Sequence, residues 1–245
     1  MLEELLIGSV ALGRNRSVWV DSPDGHEPTR LCLILDAENY LGKIGIGAIL
    51  NGMEQAGEVG PMTLVFVPCV TPENRHSEYA CHPDFARFLC DDLMGWARAR
   101  FPSLEAGGHG MVGLSLSGLQ AIWTALRHPS LFGAVVAQSP SAWYRGECLK
   151  GEVKPVVDSG TAFRISVGSE ETTFGEVFQP GDLHQTSSQI ESCGRLVAAL
   201  RQAGHEVDFS VFEGNHDSEF WAAEMPEVLR WIWGRIGGGD RSGGG

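Results

Sequence analysis

The sequence predicts an α/β fold with a mainly parallel central sheet and helices on both faces. Three observations carry this. After two opening apolar segments, short apolar runs alternate with stretches of helical periodicity, the pattern of parallel strands joined by crossover helices. The run at 63–67, Thr-Leu-Val-Phe-Val, is apolar and rich in β-branched residues, as a strand covered on both faces must be. Residues 109–118, His-Gly-Met-Val-Gly-Leu-Ser-Leu-Ser-Gly, turn from strand to helix within a few residues.

Taken in order, residues 17–20 and 31–35 read as consecutive strands, separated by the turn signal Asp-Ser-Pro-Asp-Gly at 21–25. A loop at 36–40 leads to a glycine-weakened helix over 43–56 and then the strand 63–67. A polar loop is expected over 71–80. The next helix covers 83–100, with Phe85, Phe88, Leu89, Leu93 and Trp96 at helical spacing and Pro102 limiting it. Beyond the turn at 113–117 come a helix to Arg127, a strand at 132–138 and a loop at 139–144. Then follow a strand at 163–167, a helix at 185–203, a strand at 207–212, its exit loop 213–217 and a last helix at 219–233.

The 245 residues, 43% hydrophobic and 20% charged, suffice for a single domain over 1–236 with a sizeable core. Residues 237–245 are glycine-rich and are expected to form a disordered tail. The formal net charge is −13 with no Lys/Arg cluster, so nucleic acid is not an expected partner. No apolar run reaches bilayer length, and the start Met-Leu-Glu-Glu-Leu-Leu-Ile-Gly lacks the basic residues and long apolar core of a secretory signal. Six scattered cysteines without a Cys-x-x-Cys spacing fit free thiols. Together these point to a cytoplasmic protein with no membrane partner. Oligomeric state is not readable.

The turn at 113–117 has the context of a nucleophile elbow, which lifts one serine oxygen clear of the sheet. Ser115 takes that place. Choosing Ser117 would put Leu119 where a small residue is needed. In such a sheet, chemistry collects at the carboxyl ends of the strands. The loops there are 36–40, 113–117, 168–172 and 213–217, and they present Ser115, then Glu171, then His216. A serine hydroxyl needs a base, which His216 supplies, and a carboxylate to fix the imidazole's tautomer. Glu170 neighbours Glu171, and Asp182 is a third acidic candidate. The backbone N–H of Leu116 and one from the 36–40 loop, Glu38, are the expected oxyanion donors.

Several segments strengthen the pattern: Leu-Asp-Ala-Glu at 35–38, Asn74-Arg75 with Glu78-Tyr79, the aromatic block from Phe85 to Trp96, Gly113–Gly118, Gln138–Trp143 and Gly-Asn-His-Asp at 214–217. Across about residues 31–233 the chain resembles the enterochelin-esterase-like branch of the esterase D family, within the α/β-hydrolase superfamily. The resemblance implies the α/β-hydrolase fold and hydrolysis of small-molecule carboxylic esters through an acyl-enzyme, siderophore-type lactones among them. Its Gly-x-x-Glu spacing from Gly168 selects Glu171 as the acid. Two positions depart from the family pattern: Ala37 and Ser117 both stand where glycine is usual. Acyl transfer at the same site and a non-catalytic binding role are the alternatives.

Around this core, Arg75 either binds a substrate anion or anchors its loop through Glu78. Trp143 either walls the pocket or packs in the core, while Tyr40 and Asn39 are expected at the pocket. The histidines and cysteines have no zinc-site spacing, so neither metal nor cofactor is expected.

Overall fold

The computed structural model describes residues 2–69, 71–156, 160–178 and 183–237. Of the expected tail 237–245, all but Gly237 lies outside them, as does the acidic candidate Asp182.

Eight strands form one sheet. They are β1 (Glu3–Ser9), β2 (Arg14–Asp21), β3 (Leu31–Leu35), β4 (Thr63–Val67), β5 (His109–Leu114), β6 (Phe132–Gln138), β7 (Ala162–Gly168) and β10 (Val207–Phe212). Their order is β1-β2-β4-β3-β5-β6-β7-β10. The pairs β1/β2 and β2/β4 are antiparallel, and every other pair is parallel. β2 and β3 are therefore not neighbours, because β4 inserts between them. A separate two-stranded antiparallel sheet pairs β8 (Val177–Phe178) with β9 (Leu183–His184).

The alternation of side chains along each strand divides the interior in two. Leu33, Leu35, Val65, Val67, Met111 and Val135 face one core, which also holds Phe85, Phe88, Leu119, Ile122 and Leu196. Ile34, Leu64, Phe66, Val112 and Val136 face the other, with Ile46, Leu50, Met225, Leu229 and Ile232. Fully burying one such side chain is worth about 1.5–3 kcal/mol, so both faces of the central strands stabilise the fold. The first face is covered by α3 (Pro83–Arg87), α4 (Met94–Arg100), α5 (Ser115–Arg127) and α7 (Gln189–Gln202). The second is covered by α1 (Ile46–Gln55) and α8 (Ser218–Ile236).

The structure departs locally from the sequence reading. The helix expected over 43–56 begins at Ile46, behind a π-helical turn Asn39–Ile44 that ends on Gly45 in the left-handed region, φ 72°. The 83–100 helix is continuous but contains a π-helical turn, Phe88–Leu93. The expected polar loop at 71–80 contains the helix α2 (Pro72–Glu78). Thr71 caps it by accepting from the Asn74 N–H, and Pro72 at the first helical position suits a group whose N–H would lack a helical partner. β1 is absent from the sequence reading: its apolar residues Leu5, Leu6 and Ile7 are consecutive rather than alternating with polar ones, and Leu6 is exposed. The expected loop 139–144 runs at Tyr144 into a single turn, α6 (Tyr144–Glu147), that is not a regular helix: Arg145, Gly146 and Glu147 have φ of 45°, 62° and 64°.

Candidate active site

The elbow is built by sterics. β5 delivers Leu114 in extended backbone, and Ser115, the first residue of α5, adopts φ 52°. Gly113 is required there: a Cβ would come within 2.5 Å of the Ser117 carbonyl oxygen. The Ser117 hydroxyl accepts from the Leu114 N–H at 2.9 Å and donates to Asp36 Oδ2 at 2.9 Å. The serine in place of the usual glycine is thus a buried tie between the elbow and the loop after β3.

Ser115, His216 and Glu171 are brought together from three loops at one edge of the sheet. His216 Nε2 lies 3.1 Å from Ser115 Oγ, and His216 Nδ1 lies 2.6 Å from Glu171 Oε2. A carboxylate only accepts, so Nδ1 carries the proton and Nε2 faces the serine hydroxyl as an acceptor. Glu171 is buried and Glu170 is exposed. The Glu170 N–H instead donates to the Gly214 carbonyl at 2.9 Å, holding the histidine loop against β7. Gly168 permits this closeness, since a Cβ there would sit 2.5 Å from the Gly214 oxygen. Its own N–H donates to Glu171 Oε1 at 2.8 Å.

A cavity of about 430 Å³ opens over Ser115 and His216. Leu116, Arg75, Trp143 and Phe178 contribute to its walls. Trp143 satisfies both sequence readings: it is 5% exposed, with its indole N–H donating to Gln189 Oε1 at 2.5 Å, yet it borders the cavity. It stacks on Phe178 with ring centroids 5.7 Å apart. Phe178 belongs to the β8–β9 pair, and the sequence reading missed it because a two-residue strand has no periodicity to detect.

Three expectations are corrected. Tyr40 is fully buried in the core and donates its hydroxyl to Gln138 Oε1 at 3.1 Å, so it does not wall the pocket. Asn39 opens the π-helical turn, and it is not among the residues lining the cavity. Arg75 does border the cavity, but its ion-pair partner is Asp36 rather than Glu78. Its Nε and Nη2 meet both oxygens of the Asp36 carboxylate at 2.6–3.1 Å. Glu78 is taken by Arg14 and Arg16 at 2.6 and 2.7 Å. Glu38 is exposed; the segment 36–40, expected as a loop, is helical from Ala37, with Glu38 at φ −61°, ψ −38° and the N–H groups of Asn39 and Tyr40 turned back to the Asp36 carbonyl.

Asp36, Glu38 and Cys69 place one potential ligand atom each within 4.8 Å of one another. They are a poor cation site: Asp36 is committed to Arg75 and Ser117, and burial pushes the Cys69 thiol up to about 12. Among the described residues, no helix is long and apolar enough to cross a membrane.

An elbow serine after β5, an acid after β7 and a histidine after the last strand of such a sheet define the α/β-hydrolase fold. More narrowly, the chain belongs to the Esterase family, whose model matches residues 9–232. It is 26% identical over 236 residues to the iron(III) enterobactin esterase of Dickeya dadantii, covering 91% of this chain and 53% of that protein. This chain thus spans about half the length of that relative. The uncharacterized protein YjcH of Bacillus subtilis is 24% identical, with 94% of this chain and 96% of that protein covered. The crystal structure of the Shigella flexneri enterobactin esterase in the presence of enterobactin superimposes with a TM-score of 0.78 at 22% identity. That superposition covers 96% of this chain and 59% of the other.

Proposed function

We propose that this chain is a serine hydrolase of carboxylic esters that works through an acyl-enzyme. The observation that carries the reading is the continuous contact from Ser115 Oγ through His216 to Glu171, at 3.1 and 2.6 Å, beneath an open cavity. Ser115 Oγ attacks the ester carbonyl while His216 Nε2 takes its proton. The same proton then goes to the leaving alkoxide, and an alcohol departs. Water repeats the sequence on the acyl-enzyme and releases the acid. Glu171 holds the imidazole and offsets its positive charge. The Leu116 and Glu38 amides are assigned to the oxyanion. Leu116 follows the nucleophile at the first turn of α5, where the helix dipole also favours negative charge.

Siderophore-type lactones are the substrate class to test first, because relatives over most of this chain are named for enterobactin hydrolysis. Trp143 and Phe178 offer aromatic walls for the acyl or alcohol group. The pairing of Arg75 with Asp36 tempers an anionic preference. The cytoplasm is the proposed location, on the composition of the chain.

The test is labelling with a fluorophosphonate, located by peptide mass spectrometry, alongside hydrolysis of an ester panel that includes a catecholate trilactone. Label on Ser115 and loss of turnover in Ser115→Ala support the reading. An unlabelled Ser115, or a Ser115→Ala variant as active as wild type, overturns it. Added alcohol acceptors in the same assay separate hydrolysis from acyl transfer by product.

A further inference from the structure

We propose that Ser139 and Trp221 are positioning residues that set the direction of the hydrogen bonds through Glu171 to His216; this rests on the serine-hydrolase reading above. Ser139 directly follows β6, fully buried, at φ 44°. Its N–H donates to the Ser166 carbonyl at 2.8 Å, and its own carbonyl accepts from the Gln189 side chain. The backbone is therefore clamped on both sides, and the hydroxyl lies 2.5 Å from Glu171 Oε1. Trp221, on α8, places its indole Nε1 at 3.2 Å from the same hydroxyl oxygen.

The chemistry of these three groups leaves one arrangement. An indole N–H only donates and a carboxylate only accepts. The hydroxyl between them must accept from Trp221 and point its proton at Glu171. Glu171 Oε1 then receives two donors, Ser139 O–H and Gly168 N–H, leaving Oε2 for His216 Nδ1–H. Rotating the carboxylate would break both Oε1 bonds at once. Trp221 also packs its ring against the His216 imidazole, centroids 4.9 Å apart at 88°. Trp221, Ser139, Glu171 and His216 thus close a ring in which each member limits the next. Neither Ser139 nor Trp221 is assigned a contact with the reacting atoms, so they act through the acid and the base.

Two substitutions separate the hydrogen bond from the packing. Trp221→Phe keeps an aromatic ring beside His216 and removes only the indole donor. Ser139→Ala removes the hydroxyl. With a p-nitrophenyl ester, Ser139→Ala is expected to lower kcat roughly 10–100-fold and Trp221→Phe about 3–10-fold, with KM nearly unchanged in both. The double variant should turn over about as fast as Ser139→Ala alone, because the indole N–H acts only through the hydroxyl and the phenyl ring of Trp221→Phe keeps the packing on His216. The downfield proton resonance of His216 Nδ1–H should also move in Trp221→Phe, a readout available even if Ser139→Ala folds poorly. Losses that multiply in the double variant, an unmoved resonance, or a lowered melting temperature with unchanged kcat overturns the proposal. If Ser115 still takes the fluorophosphonate label under those outcomes, the positioning role alone falls. An unlabelled Ser115 removes both.

Discussion

Ser117 and Asp36 lie 81 residues apart in the chain and meet as a fully buried hydroxyl–carboxylate pair, 2.9 Å from oxygen to oxygen. Restoring the usual elbow glycine should therefore harm this protein. Ser117→Gly removes one donor from a buried carboxylate and the acceptor of the Leu114 N–H. Urea denaturation is expected to show a loss of about 1–2 kcal/mol. Turnover should stay within a few-fold of wild type, since Arg75 still holds Asp36. Unchanged stability would show that the tie contributes nothing.

Asp36 is fully buried and Arg75 supplies its only cationic partner among the ion pairs of the described residues. Arg75→Ala leaves a charge in the core, which is expected to cost about 2–3 kcal/mol, at the low end for buried pairs because Arg75 itself is partly exposed. Anionic and neutral esters of similar size should lose kcat/KM together. Asp36→Asn should reproduce much of the loss, whereas Glu78→Gln should act separately, through Arg14 and Arg16. A selective rise in KM for the anionic ester, with the melting temperature held, would return Arg75 to a direct binding role.

The two adjacent acids are distinguishable by substitution. Glu171 reaches His216 and Glu170 is exposed. Glu171→Gln should reduce kcat by several orders of magnitude, though less than removal of Ser115 or His216. Glu170→Gln should stay within a few-fold of wild type, because its contribution to the loop is the backbone N–H. Comparable losses in both would contradict the assignment.

His109 predicts an acid-sensitive step in stability. It is fully buried at the start of β5, where Nδ1 accepts from the Leu31 N–H at 3.3 Å. Burial, aided by Arg98 and Arg30, holds it down from 6.5 to about 4. The unfolded chain thus binds this proton more readily than the fold does. Its contribution is intact above pH 6.5 and is lost as pH falls toward 4, by roughly 2 kcal/mol between pH 7 and 4.5. Glu147, lowered to about 2 by its hydrogen bond from Arg195, adds a loss below this window. His109→Gln keeps an acceptor for Leu31 and should flatten the slope between pH 7 and 4.5 in urea denaturation. An unaltered slope would assign the acid sensitivity elsewhere.

The parallel sheet, the elbow and the order of the three candidate catalytic residues were readable because each rests on local pattern: buried β-branched runs, small residues in a tight turn, and loops at strand ends. Partnership was less readable. Arg75 and Glu78 stand one helical turn apart, yet each pairs with residues distant in sequence, and no spacing along the chain reports that. Tyr40 carries a polar group and follows a strand, which suggests a pocket. It packs in the core, and its hydroxyl is satisfied there by Gln138, a partner supplied by another strand. Helix α2 was legible in principle, since Thr71-Pro72 is a capping residue followed by proline at the first helical position. Ser139 could be placed in a loop, but its φ of 44° and its donation to Glu171 exist only once β6, β7 and α8 have assembled.

The base is delivered from the margin of the sheet. Ser115 directly follows β5 in the sheet's interior, while His216 follows β10, which among the described strands pairs with β7 alone and whose residues are half-buried or exposed. Edge segments with few buried side chains open at lower free energy than the interior. On warming, fraying of this margin would carry the imidazole away from a serine that is still held in place. Thermal inactivation should then run ahead of the loss of helical ellipticity, leaving a window in which the molecule is folded and idle.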